Sequence, residues 1–154
     1  MAVFYRIVQE RWAANAMDGE GARRYGGRWN VPGVAAVYLA ESRALAAMEI
    51  LVHTPREFLN LDWRMIEVGV SDSWIEKPPR YRIPENWRSH PSSQDAKAFG
   101  SRWLRDGQNL GLLLPSVIIP EESSLMINPS HPRIGELEIG KAVAFRFDSR
   151  LTRD

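Results

Sequence analysis

VAAVYLAESRALAAMEILVH, residues 34 to 53, joins two apolar runs through a polar corner. The first seven residues read as a buried strand. Ser42 then stands where a helix N-cap belongs, its hydroxyl able to accept from the amides of a first turn. A helix over 43 to 53 follows and stops before Pro55, which cannot continue it. On that helix Leu45, Met48 and Val52 form one stripe, flanked by Ala46, Ile50 and His53, and Glu49 falls beside Met48 at the border of the buried face. Burying an unpaired carboxylate is costly. Glu49 therefore either turns to water, paired with Arg43 or Arg56, or meets a partner inside the molecule.

Outward from this unit, VFYRIV (3 to 8) reads as a first strand, and WRMIEVGV (63 to 70) alternates with Ile66, Val68 and Val70 on one face. GLLLPSVIIP (111 to 120) and LMIN (125 to 128) read as a hairpin in which Pro115 forces an edge or a bulge. KAVAFRF (141 to 147) alternates with Val143, Phe145 and Phe147 inward. Residues 18 to 33 hold five of the eleven glycines, which predicts a loop. Residues 74 to 91 are proline-rich and read as an irregular connection packed by Trp74, Tyr81 and Trp87. Ser92 with Asp95 predicts a capped helix carrying Ala96, Phe99, Trp103 and Leu104 as far as Gly107. About six strands with two or three helices, mixed rather than strictly alternating, make the fold class α+β.

The 154 residues suit one domain, 1–154, with a core of its own. The absence of cysteine excludes disulfides, thiolate metal sites and a thiol nucleophile. The charged N-terminus is no signal peptide, and no run approaches the ~20 apolar residues of a membrane span, so a soluble cytoplasmic protein is expected. The net charge of +1 argues against general nucleic-acid binding, which needs a strongly basic face. Arginine outnumbers lysine 17 to 3. That bias suits bidentate contacts to phosphate or carboxylate, and a GC-rich coding sequence produces it as well.

Three stretches can carry chemistry. GARRYGGRWN (21 to 30) crowds three arginines and two aromatic rings into a turn vocabulary; its amides and guanidinium groups can grip an anion such as a diphosphate, or be solvated while Trp29 pins the loop to the core. VYLAES (37 to 42) puts Tyr38 inside an apolar strand, where its hydroxyl needs a partner and its ring can stack on a planar ligand. SVIIPEESSLMINPSHP (116 to 132) holds Ser116 in an apolar strand, and Asn128 before Pro129 with His131 close by. No GxGxxG, Walker or GxSxG pattern occurs, and the three histidines lack ligand spacing, so no metal site is expected.

Taken in order, GGRWN, VYLAES, ALAAMEILVH, LPSVIIP and LMINPSHP closely resemble the RES domain, named for its Arg, Glu and Ser, and the likeness runs from VFYRI to AFRF. RES proteins are toxins of bacterial toxin–antitoxin pairs whose antitoxin is an Xre-type helix-turn-helix protein. The resemblance implies an ADP-ribosyltransferase-like fold, a split, mixed β-sheet core holding NAD in a cleft, and NAD breakdown that arrests growth. By motif it implies Arg28, Tyr38, Glu49, Ser116 and Asn128 as site residues, with Trp29 and Arg23 beside them. Cleaving the nicotinamide–ribose bond passes through an oxocarbenium-like state, which a fixed carboxylate such as Glu49 stabilises. Arg28 would bind the diphosphate or keep Glu49 ionised. Tyr38 would stack on the nicotinamide, and Ser116 and Asn128 would hydrogen-bond ribose or carboxamide.

The resemblance leaves the acceptor open: water or phosphate, giving a glycohydrolase or phosphorolase with NAD as substrate and no separate cofactor, or a protein, giving an ADP-ribosyltransferase. A binding module using the loop at 23 to 29 for RNA or regulation is the remaining alternative. No helix-turn-helix segment occurs in the chain, so the expected Xre-type antitoxin is a separate protein in a hetero-oligomeric complex.

Overall fold

The computed structural model describes residues 1–153. In chain order the elements are β1 (Ala2–Gln9), α1 (Glu20–Tyr25), β2 (Val37–Ala40), α2 (Arg43–His53), β3 (Trp63–Val70), β4 (Ile75–Glu76), α3 (Gln94–Asp106), β5 (Gly111–Pro115), β6 (Ser123–Ile127), β7 (Glu138–Ile139), β8 (Val143–Phe145) and α4 (Ser149–Thr152). The strands form one sheet in the order β4-β5-β6-β2-β1-β3-β7, with β8 also on β3. β4 runs parallel to β5 and all other pairs are antiparallel, so the sheet is mixed.

Strand alternation sorts the core onto two faces. Phe4, Val8, Val37, Leu39, Ile66, Val68, Val70, Leu125 and Ile127 pack together on one of them. The other face carries two separate clusters. Ile7 and Ala40 meet Leu45 and Ala46 of α2, while Leu112, Leu114 and Met126 meet Ala96 and Leu104 of α3 together with Trp29. β1 and β3 pair along eight residues, but β1 and β2 share a single registered pair, Tyr5 with Ala40. The sheet is therefore split between its first two strands, and the space between the α2 and α3 clusters lies over that split. Among the described residues no helix is long and apolar enough to cross a membrane.

Local physics accounts for most elements and for the departures from the sequence reading. Ser42 caps α2 by accepting from the Leu45 amide at 3.0 Å, as expected. α3 begins one residue later than expected: Ser93, not Ser92, accepts from the Ala96 amide. Gly107 closes it in the left-handed region with φ 62°. The 18 to 33 segment is not all loop, because Glu20–Tyr25 forms α1, started by Asp18 accepting from the Glu20 amide and ended at Gly26 with φ 75°. Pro115 ends β5 where the two-residue β4 no longer runs beside it, so no ladder bond is lost.

Two burial expectations are corrected. Met48 and Val52 are 37% and 55% exposed, and α2 buries Leu45 and Ala46 instead. With apolar residues on nearly every side, hydrophobicity leaves the helix's rotation undetermined, and small Ala46 permits the close seat on β1 and β2. Val143 is also exposed, because β8 is three residues long and sits at the sheet margin with only β3 beside it.

Candidate active site

A cavity of about 700 Å³ opens between the two clusters, lined by parts of β1, α1, β2, α2 and the loop after α1. Its size falls within the range of small-molecule sites. Arg28, Trp29, Tyr38 and Glu49 all line it; Arg23, Ser116 and Asn128 do not.

The GGRWN turn sets out the first wall. The Gly27 amide donates to the Asn30 carbonyl at 3.0 Å, closing a tight turn with Arg28 and Trp29 at its tip. Trp29 is 3% exposed and stacks on Trp87 at 6.2 Å, with Phe99 edge-on at 6.1 Å. This packing requires glycine at 100 on α3, since a Cβ there would lie 1.9 Å from the Trp29 carbonyl oxygen. With Trp29 anchored, Arg28 faces the cavity, and its Nη1 donates to the carbonyls of Trp87 and Ser89 at 2.9 and 2.8 Å. Burial holds the Arg28 pKa below the ordinary guanidinium value, and the negative charge of Glu49 works against that shift.

Asn30 locks the turn to the sheet. It is fully buried, donates to the carbonyls of Ala22, Val31 and Val34, and accepts from the Tyr38 hydroxyl at 2.6 Å. The Tyr38 oxygen in turn accepts from the Trp29 amide at 3.3 Å. Burial pushes the phenol well above its ordinary range. The hydroxyl is thus committed to Asn30 and Trp29 within the chain, while the Tyr38 side chain lines the cavity.

The second wall is α2. The Glu49 side chain is 31% exposed, and the one basic side chain within 4 Å of it among the described residues is His53, Nε2 to Oε2 at 3.7 Å. Arg43 pairs instead with Glu67 at 3.2 Å, and Arg56 donates to the Arg153 carbonyl. The solvated pairing of Glu49 with either arginine is thus absent.

Several lining residues escaped the sequence reading. Arg6 has the strand phase of Phe4 and Val8, yet it reaches through the split to donate from Nη1 to the Tyr38 carbonyl at 3.0 Å. A neighbouring strand would supply an amide at that carbonyl, but β1 has already diverged. The Arg6 Nε is the only buried side-chain nitrogen or oxygen without a partner among the described residues, and desolvation brings the guanidinium pKa down to about 10. A charged residue inside VFYRIV was the available signal. Lys97, on α3, donates from Nζ to the Gly27 carbonyl at 2.5 Å. Nothing local marked it, because 70 residues of chain separate it from the turn it touches.

The remaining motif residues do not line the cavity and make hydrogen bonds or ion pairs near their own segments. The Ser116 oxygen accepts from the amides of Ile118 and Ile119, shaping the β5–β6 connection next to the lining residues Pro115 and Val117. Asn128 is buried, donates to the Leu104 carbonyl and accepts from the Ser130 amide. Arg23 pairs with Glu20 along α1.

Comparison with known proteins places this architecture. A Toxin Res of Yersinia enterocolitica is 39% identical over 150 residues, covering 97% of this chain and 99% of that one. A Prs ADP-ribosylating toxin of a Sphingobium strain is 37% identical over 155 residues, with coverage of 97% and 96%. The NAD(+) phosphorylase MbcT of Mycobacterium tuberculosis matches over a shorter stretch, 37% identical across 38% of this chain and 35% of that one. The crystal structure of the MbcT–MbcA toxin–antitoxin complex from that organism superposes with a TM-score of 0.74 at 24% identity, covering 94% of this chain and 84% of the other, and so shares the fold. The RES domain family model matches residues 3–148, and with near end-to-end relatives beside it, the chain belongs to the RES domain family.

Proposed function

We propose that this chain is the toxin of a toxin–antitoxin pair and that it cleaves the nicotinamide–ribose bond of NAD. One observation carries the reading: the cavity holds cations and a carboxylate that are not neutralised by direct ion pairs. Arg6, Arg28 and Lys97 line it with no carboxylate within 4 Å among the described residues, and Glu49 lines it with no guanidinium that close; of the other two lining carboxylates, Glu20 is taken up by Arg23 and Asp18 forms no ion pair. NAD has the matching division, with an anionic diphosphate at its centre and a cationic pyridinium on one ribose. The NAD(+) phosphorylase activity for which MbcT is named agrees with this chemistry.

In the reaction the C1′–N bond breaks and its electron pair leaves on nicotinamide, which departs neutral. Positive charge spreads over C1′ and the ring oxygen. A Glu49 carboxylate held close to that centre strengthens its attraction as the charge develops, which lowers the barrier. An oxygen of water or phosphate then bonds to C1′. Water gives up its proton to solvent, yielding ADP-ribose; phosphate yields the 1″-phosphate. The ring of Tyr38 would hold the nicotinamide, and the Arg28 side the diphosphate. A separate antitoxin chain, of the Xre type, would silence the cytoplasmic enzyme by covering the cavity.

Incubation of the purified protein with NAD, with and without phosphate, tests the reading. Free nicotinamide with ADP-ribose or its phosphate is the expected product set. Intact NAD would overturn the reading. The name of the Sphingobium relative favours a second outcome, ADP-ribose recovered on protein.

A further inference from the structure

Lys97 occupies a position that costs stability on three counts. It lies in the first turn of a 13-residue helix, where the aligned peptide dipoles already place positive charge. It is partly desolvated, and Arg28 repels it, so that both effects hold its ammonium below the ordinary lysine pKa. No carboxylate comes within ion-pair distance of either cation: across the ion pairs of the described residues, neither Lys97 nor Arg28 takes part in one.

Both cations are nevertheless held in place. Lys97 is tied to the Gly27 carbonyl, and Arg28 to those of Trp87 and Ser89. Carbonyl oxygens orient a cationic head without cancelling its charge. Two ammonium protons of Lys97, and the Nε and Nη2 donors of Arg28, remain uncommitted in the structure's hydrogen bonds. Both side chains line the cavity, and so does Ser92 beside the helix start. Fixed positive charge of this kind, supplied from two elements, is complementary to an anion of about two charges with several acceptor oxygens.

We propose that Lys97 and Arg28 together form a phosphate seat in the cavity. Its occupant is a phosphate group from one of two sources, the diphosphate of NAD or a free phosphate that attacks C1′. The choice of these two sources rests on the NAD-cleavage reading; the seat itself rests on the charges.

Calorimetric titration of the full chain with inorganic phosphate and with pyrophosphate, at constant ionic strength, tests it. Lys97→Gln is expected to weaken at least one of the two anions by about tenfold or more, the scale of a charge-assisted bond. Lys141→Gln, at an exposed site elsewhere, should leave both unchanged. Because Lys97→Gln removes a repulsion, its unfolding temperature without anion should be no lower than that of the parent, which separates lost binding from lost fold. Lys97→Arg should restore most of the affinity. Kinetics then distinguish the sources: a raised KM for NAD alone assigns the diphosphate, and a raised half-saturating phosphate concentration alone assigns the acceptor. Unchanged binding of both anions by Lys97→Gln would overturn the seat. Anion binding that depends on Lys97 without any NAD cleavage would keep the seat and overturn the proposed function instead.

Discussion

The two walls of the cavity are built on opposite plans. On the α1–β2–α3 side the polar groups are anchored by internal bonds: Asn30 makes four hydrogen bonds, Tyr38 uses its hydroxyl twice, and Arg28 and Lys97 are each tied to carbonyls while keeping donors free. On the α2 side Glu49 has a single loose neighbour at 3.7 Å on a helix that is exposed along Met48 and Val52. The difference teaches how labour is divided. A wall locked by internal bonds defines shape and recognises what is already formed, whereas a carboxylate with little competing for it keeps its charge available for one that develops during reaction.

Substitutions should expose this contrast, and the largest effect belongs to the sparse wall. Glu49→Gln retains shape and removes charge, and NAD turnover should fall about 100- to 1000-fold with unfolding temperature nearly unchanged. Turnover close to the parent value in that variant would place the decisive group elsewhere. Gly100→Ala strikes the locked wall through packing, forcing a Cβ against the Trp29 carbonyl, and should cost up to about 3 kcal/mol in chemical denaturation.

Tyr38→Phe should cost about 1–3 kcal/mol of stability, because the fully buried Asn30 then loses the donor to its carbonyl oxygen. The same variant should turn over NAD within a few-fold of the parent in a steady-state assay, since the hydroxyl faces the chain rather than the ligand. A large loss of kcat in a folded Tyr38→Phe protein would return the phenol to the chemistry. His53→Ala comes last. Its imidazole side chain is 73% exposed, and the change should move turnover by no more than about threefold at neutral pH, measured against the parent at equal ionic strength.

How much of this was legible beforehand depended on the range over which each feature is encoded. β1, β3, the β5–β6 hairpin, α2 and α3 are written in local periodicity, capping hydroxyls and Gly107. β4 and β7, two residues each, are too short to show any period. α1 was hidden by the glycines on either side of it, which end a helix as readily as they make a loop. The α2 phase was misread because its composition is apolar almost all round, and only the seat on Ile7 and Ala40 determines which side is buried.

The site divides in the same way. Arg28, Trp29, Tyr38 and Glu49 were named from motifs and do converge on one cavity. Ser116 and Asn128, named by the same route, have oxygens that accept backbone amides in turns of their own segments. Arg6 and Lys97 belong to the cavity but carry no motif, since what makes them matter is distance in space from Tyr38 and Arg28.

By itself the sequence determined the fold class, the family and the cast of charged and aromatic groups, because hydrophobic period, caps and motif order are local properties of the chain. Only the tertiary structure decided which charges stay uncancelled. That outcome depends on where β1 parts from β2, on how closely Gly100 lets α3 approach Trp29, and on which face α2 turns inward. Electrostatic pairing is set by distances of a few ångströms between residues far apart in the chain, and such distances exist only after folding.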